Sequence, residues 1–345
     1  IEQDFKSLLP FLNPLLKVFI ICDEHIAELY RKQIAQWFQV KFEVLVVPAG
    51  EQYKTRETKA QLEDELCALG CGRDSLLIAL GGGVILDLVG FLAATFCRGV
   101  PAIYIPTSLL AMVDASIGGK TAVNTPFGKN LIGAFSNPRA VCIHIGFLKT
   151  LPKPEFINGM AEVIKHALIA DYTFLTWLLE HQQQILALEP DTLEAMILKS
   201  TQIKQLVVEA DSHEKNLRQI LNFGHTIAHA IEKLSHYACR HGEAVAIGMV
   251  FEAYMAYLMG KLSLDDVMTI KTILEAFALP TTSNYLSDFD KLLQDLNFDK
   301  KNKQNQIHMV VLNHLGGVYQ DLQQYSFPIC HEHLILAHAW MMQSC

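Results

Sequence analysis

Five short apolar runs rich in β-branched residues punctuate the first 150 residues: Val18–Cys22, Phe42–Val47, Leu76–Leu80, Ala102–Ile105 and Ala140–Ile145. Between most of them apolar side chains return every three or four positions, as in His25–Phe38 and Thr55–Leu69, the period of a helix with one buried face. Strands alternating with such helices predict a mostly parallel sheet covered on both faces, with ligands gathering at the carboxyl ends of the strands. After Leu151-Pro152-Lys153-Pro154 the pattern changes, and helical spacing continues to about residue 280 with hardly a strand signal. Helices are predicted over 155–170, 172–185, 190–210, 217–236, 242–259 and 264–278, then a strand at Ile307–Leu312 and a closing helix over 331–343.

Composition narrows this picture. At 345 residues the chain exceeds the size at which one core stops growing, so two domains are expected. No uninterrupted apolar run reaches the roughly 18 residues of a membrane helix. A formal charge of −8 without a polybasic block argues against nucleic acid as a partner, so an anionic ligand would need cations gathered locally. The eight cysteines include no CxxC pair and several lie inside apolar runs; they read as reduced thiols. The first ten residues lack the charged start and apolar core of an export signal, and a cytoplasmic protein is expected.

Candidate chemistry begins at Gly81-Gly82-Gly83, directly after the Leu76–Leu80 run and before a helix starting near Val84. Glycines there let backbone N–H groups approach a pyrophosphate at the positive end of a helix, although the spacing is not GxGxxG and a plain chain reversal would look the same. Asp23 ends a strand where a carboxylate could hold a ribose hydroxyl or cap the next helix. In the second half, Glu162 and Lys165 share a helix face by i, i+3 spacing. His225 and His229 stand at i, i+4, a workable zinc pair on any helix, but without the glutamate of HExxH.

Several motifs together resemble the 3-dehydroquinate synthases. They are Gly81-Gly82-Gly83-Val84-x-x-Asp87, Cys97-Arg98-Gly99, Ile105-Pro106-Thr107-Ser108-Leu109-Leu110, Val113-Asp114-x-Ser116-x-Gly118-Gly119-Lys120 and Gly128-Lys129-Asn130-Leu131-Ile132-Gly133, with Glu51-x-x-Lys54 upstream. Asn158 through His166, Leu221 through His229, and His241-Gly242-Glu243 continue the likeness. Met112, Ser108 and Asn216 depart from the usual Gln, Thr and Gly, while the charged set is preserved.

The resemblance implies an α/β N-terminal Rossmann-like domain, 1–151, binding NAD through a mostly parallel sheet. It also implies an all-α C-terminal domain, 152–345, for metal and substrate, together the dehydroquinate synthase-like fold. It assigns Glu162, His225 and His241 to Zn2+ or Co2+, and so moves His229 from ligand to substrate or proton-transfer residue. Asp23, Glu51, Lys54, Gly82, Gly83, Val84, Asp87, Thr107, Ser108, Lys129, Phe147, Thr150 and Asn158 are expected around NAD. Arg98, Lys120, Asn130, Lys204, Arg218, Asn222, His229 and Lys300 or Lys301 would meet a phosphorylated sugar acid, with Lys165, Asp114 and Glu214 close to the chemistry.

The family's reaction oxidises C5 of 3-deoxy-arabino-heptulosonate 7-phosphate with NAD, eliminates phosphate, returns the hydride and closes the ring by an intramolecular aldol step. Arg218 matches a residue given across a dimer interface, so a homodimer is expected. Rival readings are a cyclase acting on sedoheptulose 7-phosphate or glucose 6-phosphate, a metal-dependent alcohol or glycerol dehydrogenase, and an inactive NAD-binding scaffold.

Overall fold

The computed structural model describes residues 5–11, 17–38, 41–297 and 306–343. Contacts divide the chain into two compact units, Ile1–Pro152 and Lys153–Cys345.

The first unit contains β1 (Lys17–Asp23), α1 (Glu24–Trp37), β2 (Phe42–Val47), α2 (Arg56–Ala68), β3 (Ser75–Gly81), α3 (Gly83–Thr95), β4 (Ala102–Pro106), β5 (Lys120–Thr125), β6 (Gly128–Phe135) and β7 (Ala140–Val141). Five of these strands form one sheet in the order β2-β1-β3-β4-β7, and every pairing in it is parallel. All seven residues of β3 are buried, as a central strand covered on both faces must be. Phe19, Ile21, Leu45, Leu77, Ala79 and Val89 belong to its core. The run at Ala140–Ile145 forms only the two-residue strand β7 before a 3-10 turn at Ile145–Lys149. The antiparallel hairpin β5–β6 was not foreseen, because β6 is half-exposed and has no apolar run to announce it.

The second unit contains α4 (Lys153–Ala170), α5 (Tyr172–Glu180), α6 (Gln182–Leu186), α7 (Pro190–Ala210), α8 (His225–Leu234), α9 (His241–Leu258), α10 (Leu264–Ala276) and α11 (Phe289–Asn297). The short strands β8 (His308–Met309), β9 (Leu312–His314), β10 (Gly317–Val318) and β11 (Phe327–Pro328) precede α12 (His331–Gln343). One expectation needs correction. The 217–236 stretch is a 3-10 turn, Leu217–Asn222, followed by α8; Gly224 interrupts it with φ +81, a conformation no regular helix contains. The unit is helical as expected apart from short strands, β8 pairing with β11 and β9 with β10; β8 and the start of β9 fall in the expected strand stretch Ile307–Leu312.

Close helix packing in this unit rests on two glycines of α9. A Cβ on Gly242 would lie 1.9 Å from the Asn158 carbonyl oxygen of α4, and one on Gly248 would lie 1.9 Å from the Gly224 carbonyl oxygen at the start of α8. Without side chains at these positions α9 can press against both neighbours at once. That contact sets the distances described next.

Candidate functional site

In the first unit Gly81 closes β3, Gly82 is the N-cap of α3, and Val84 lies in the first turn of that helix. A Cβ on Gly81 would strike Ile85 at 2.7 Å, so packing alone explains that glycine. Gly82 differs: an added Cβ would meet only Ser108 Oγ, at an ordinary 3.6 Å, and its φ of −74 is open to any residue. Nothing in the fold requires glycine there. The absent side chain therefore suits a ligand brought against the helix N-terminus.

A polar network lies on the same unit. Lys54, 4% exposed, pairs with Asp87 and donates to Asn130 Oδ1 at 2.7 Å. The Asn130 N–H donates to Asn124 Oδ1 at 3.0 Å, and Asn124 Nδ2 donates to Glu51 Oε1 at 2.8 Å. Burial pushes the Asp87 carboxyl above the usual carboxylate range, against the pull of Lys54. Thus Glu51, Lys54, Asp87 and Asn130, distant in sequence, are brought together, and Asn124 is a member that sequence reasoning missed.

Other expected residues of this unit are placed singly. Asp23 caps α1, accepting from the Ile26 N–H, the bland role weighed for it. Thr107 is buried and its N–H donates to the Gly81 carbonyl. The Ser108 hydroxyl accepts from the Ala111 N–H. Asp114 lies in the π-helical turn Ala111–Ala115. Phe147 is buried against Tyr30 and Trp37, which leaves its backbone for any ligand contact, and Thr150 hydrogen-bonds with Tyr30. Lys120 opens β5 and is exposed, Lys129 is half-buried on β6, and Arg98 is exposed with φ 68.

The second unit holds the candidate metal centre. Glu162 of α4, His225 at the first position of α8 and His241 at the first position of α9 offer ligand atoms that all lie within 4.8 Å of one another. His225 Nε2 and His241 Nε2 each stand 3.5 Å from Glu162 Oε1. The other oxygen, Oε2, pairs with Lys165; Glu162 and Lys165 are 0% and 1% exposed, and a charge so deeply buried needs such a partner. Ligand atoms on a tetrahedral zinc with bonds near 2.1 Å stand about 3.4 Å apart. Two imidazole nitrogens and one carboxylate oxygen at this spacing fit a divalent ion and leave positions open for substrate.

Partners outside the triad orient the rings. His225 Nδ1 donates to the Phe223 carbonyl at 3.2 Å, and His241 Nδ1 stands 3.6 Å from buried Glu232. Each contact turns Nε2 toward Glu162, as metal-binding histidines require. Burial alone would pull the His241 pKa down, but hydrogen bonds and charge from Glu162 and Glu232 outweigh it, raising it to about 10. Glu232 was missed because its partner is nine positions on, outside any helical spacing.

His229 is exposed on α8, its ring centroid 5.8 Å from that of His225; it lies outside the metal-ligating group. Asn222 Nδ2 donates to Glu214 Oε1 at 2.8 Å. Arg218 donates to the Ser212 carbonyl at 2.7 Å and, like Lys204, is buried. The loop carrying Glu214 and Arg218 is gathered by Asp211, which accepts from the N–H groups of Lys215, Asn216 and Arg218. Partial burial opposes them, yet these donors hold its carboxyl below the usual range. The Asn158 side-chain oxygen receives the Gly242 N–H at 2.6 Å, which ties α4 to the start of α9. Lys300 and Lys301 lie outside the described residues.

Family models for the 3-dehydroquinate synthase N-terminal and C-terminal regions match residues 44–158 and 159–302. A 3-dehydroquinate synthase of Thermodesulfovibrio yellowstonii is 43% identical over 304 residues, covering 87% of this chain and 85% of that protein. A pentafunctional AROM polypeptide of Clavispora lusitaniae is 43% identical over 317 residues, covering 84% of this chain, which spans only 20% of that much longer polypeptide. Among solved structures, 2-epi-5-epi-valiolone synthase from Streptomyces hygroscopicus with NAD+ and Zn2+ bound superposes with a TM-score of 0.89 at 26% identity, covering 98% of this chain and 94% of that one.

Proposed function

The chain belongs to the 3-dehydroquinate synthase family, and from that footing we propose that it is the lyase that turns 3-deoxy-D-arabino-heptulosonate 7-phosphate into 3-dehydroquinate and phosphate. The observation that carries this reading is the meeting of Glu162, His225 and His241 at ligand distance. The first unit would take NAD, with Gly82 and Gly83 at its phosphates; the second would take zinc or cobalt and the sugar acid. When bound, NAD supplies reversible hydride acceptance at C5, and the ion polarises neighbouring hydroxyl oxygens.

The chain's own residues do the rest. Glu162, His225 and His241 hold the ion, and Lys165 pairs with the second carboxylate oxygen of Glu162. Oxidation at C5 acidifies the C6 proton, after which phosphate departs by β-elimination. We assign its oxygens to Lys120, Asn130, His229 and a lysine at 300 or 301, with Arg98 adding charge. The departing phosphate itself would take the C6 proton. Lys204, Arg218 and Asn222 would meet the carboxylate and hydroxyls, with Glu214 orienting Asn222 and Asp114 near the reacting carbons. Charge-assisted bonds of this kind let a chain of net charge −8 bind a dianion.

We place the enzyme in the cytoplasm as a homodimer. The thiols of Cys22, Cys67, Cys71, Cys97, Cys239 and Cys330 lie outside any disulfide, which accords with a reducing compartment, and no helix among the described residues is long and apolar enough to cross a membrane. The test supplies the heptulosonate phosphate with NAD and zinc and follows phosphate and NADH together. Phosphate and dehydroquinate forming without accumulating NADH supports the reading. Accumulating NADH would indicate a dehydrogenase, and turnover of sedoheptulose 7-phosphate or glucose 6-phosphate instead would indicate another cyclase.

A further inference from the structure

We propose that Glu252 is a positioning residue for His225, acting through the Phe223–Gly224 peptide; this rests on the reading of His225 as a metal ligand. Glu252 is fully buried and is the one charged residue in the apolar run Ala244–Tyr257 of α9. Its carboxylate accepts the Gly224 N–H at 2.8 Å through Oε2, and the Thr226 and Ile227 N–H groups at 3.1 and 3.4 Å through Oε1. The last two are first-turn donors of α8 that have no partner within their own helix, and an anion suits that position.

The first bond is the informative one. The Gly224 N–H belongs to the same planar peptide as the Phe223 carbonyl, and that carbonyl accepts Nδ1–H of His225 at 3.2 Å. Glu252 therefore fixes the plane of the peptide that fixes the ring. Donation to a carboxylate also polarises the peptide, which makes its carbonyl a better acceptor and the far nitrogen, Nε2, a stronger ligand. Gly224 reaches this orientation with φ +81, packed where a Cβ on Gly248 would strike its carbonyl oxygen. The helix that supplies His241 thus also sets the direction of His225.

Glu252→Gln keeps the shape, removes the charge and turns an amide donor toward backbone donors. The full-length variant, stripped of metal and titrated with zinc against a chromophoric chelator, is expected to bind about 10- to 100-fold more weakly than the parent chain, with an altered visible spectrum when loaded with cobalt. Leu274→Ala, in the buried face of α10, supplies a destabilised control whose zinc affinity and cobalt spectrum should match the parent. A merely structural role predicts that the two variants behave alike. Equal zinc affinity and identical cobalt spectra in Glu252→Gln and Leu274→Ala overturn the proposal. If Glu252→Gln does not fold, Glu252→Asp, which retains charge with shorter reach, is titrated instead; weaker binding supports the proposal and unchanged binding overturns it. A parent chain that takes up no zinc defeats the underlying metal assignment, and the proposal with it.

Discussion

The lysine and arginine candidates for the substrate are set in opposite surroundings in the two units. In the helical unit Lys204 and Arg218 are buried, as are Glu162 and Lys165, whereas in the α/β unit Lys120 and Arg98 are exposed and the pair that buried Lys54 makes with Asp87 belongs to the residues expected around NAD. A buried charge must be paired as the chain folds or the fold bears its desolvation. The candidate metal site is consequently built in advance, with Lys165 beside Glu162 and a carbonyl or carboxylate behind each histidine. Exposed groups carry no such demand, and their geometry is free to be completed by the ligand. The contrast predicts that substitutions in the buried set cost stability as well as function, while those in the exposed set cost function alone.

The largest expected effect falls on the exposed side. Lys120→Ala should lower turnover by about 10²- to 10⁴-fold, the usual range for a group assisting proton or leaving-group transfer, with a melting temperature unchanged because surface substitutions shift stability by about 0.5 kcal/mol or less. A matching loss of stability, seen by calorimetry, would erase the contrast. Lys165→Ala tests the other side, since losing one partner of this buried pair should destabilise the metal-free protein by about 3–5 kcal/mol, measured by urea unfolding.

Gly82→Ala sharpens the comparison within the α/β unit. With space for a Cβ already present, stability should hold within about 1 kcal/mol while NAD affinity in a calorimetric titration falls about tenfold or more. Unchanged affinity would return this turn to simple chain reversal.

A last effect is a pH dependence of the metal-free protein. His241 titrates from 6.5 in the unfolded reference to about 10 when folded, so folding takes up a proton in that window. Its stabilisation is complete below about pH 6.5 and is lost as pH rises through about 10. Melting temperatures recorded across this range should decline in the parent chain and decline less in His241→Ala.

How much of this was legible in the sequence differs by the same division. Continuous apolar runs located β1 to β4 and the 3.6-residue period located most helices, because a strand covered on both faces and a helix buried on one each leave a regular trace. The break at Gly224 was hidden, since the residues around it continue a helical spacing while the positive φ is imposed by contact with α9. The β5–β6 hairpin left no trace because so little of it is buried. Spacing alone favoured His225 with His229, for a helix puts i and i+4 on one face. His241 comes from another helix, brought in by glycine packing that no local pattern encodes. Glu252 had a signal that went unused, as one carboxylate inside fourteen otherwise uncharged helical residues is costly unless it has a specific partner.

The central claim is that three side chains from three helices hold one divalent ion. Anomalous diffraction at the zinc edge from crystals of the zinc-loaded protein tests it most directly. The expected map has a single peak about 2.0–2.2 Å from Glu162 Oε1 and from Nε2 of His225 and His241. A peak shared by His225 and His229, with His241 remote from it, would contradict the account.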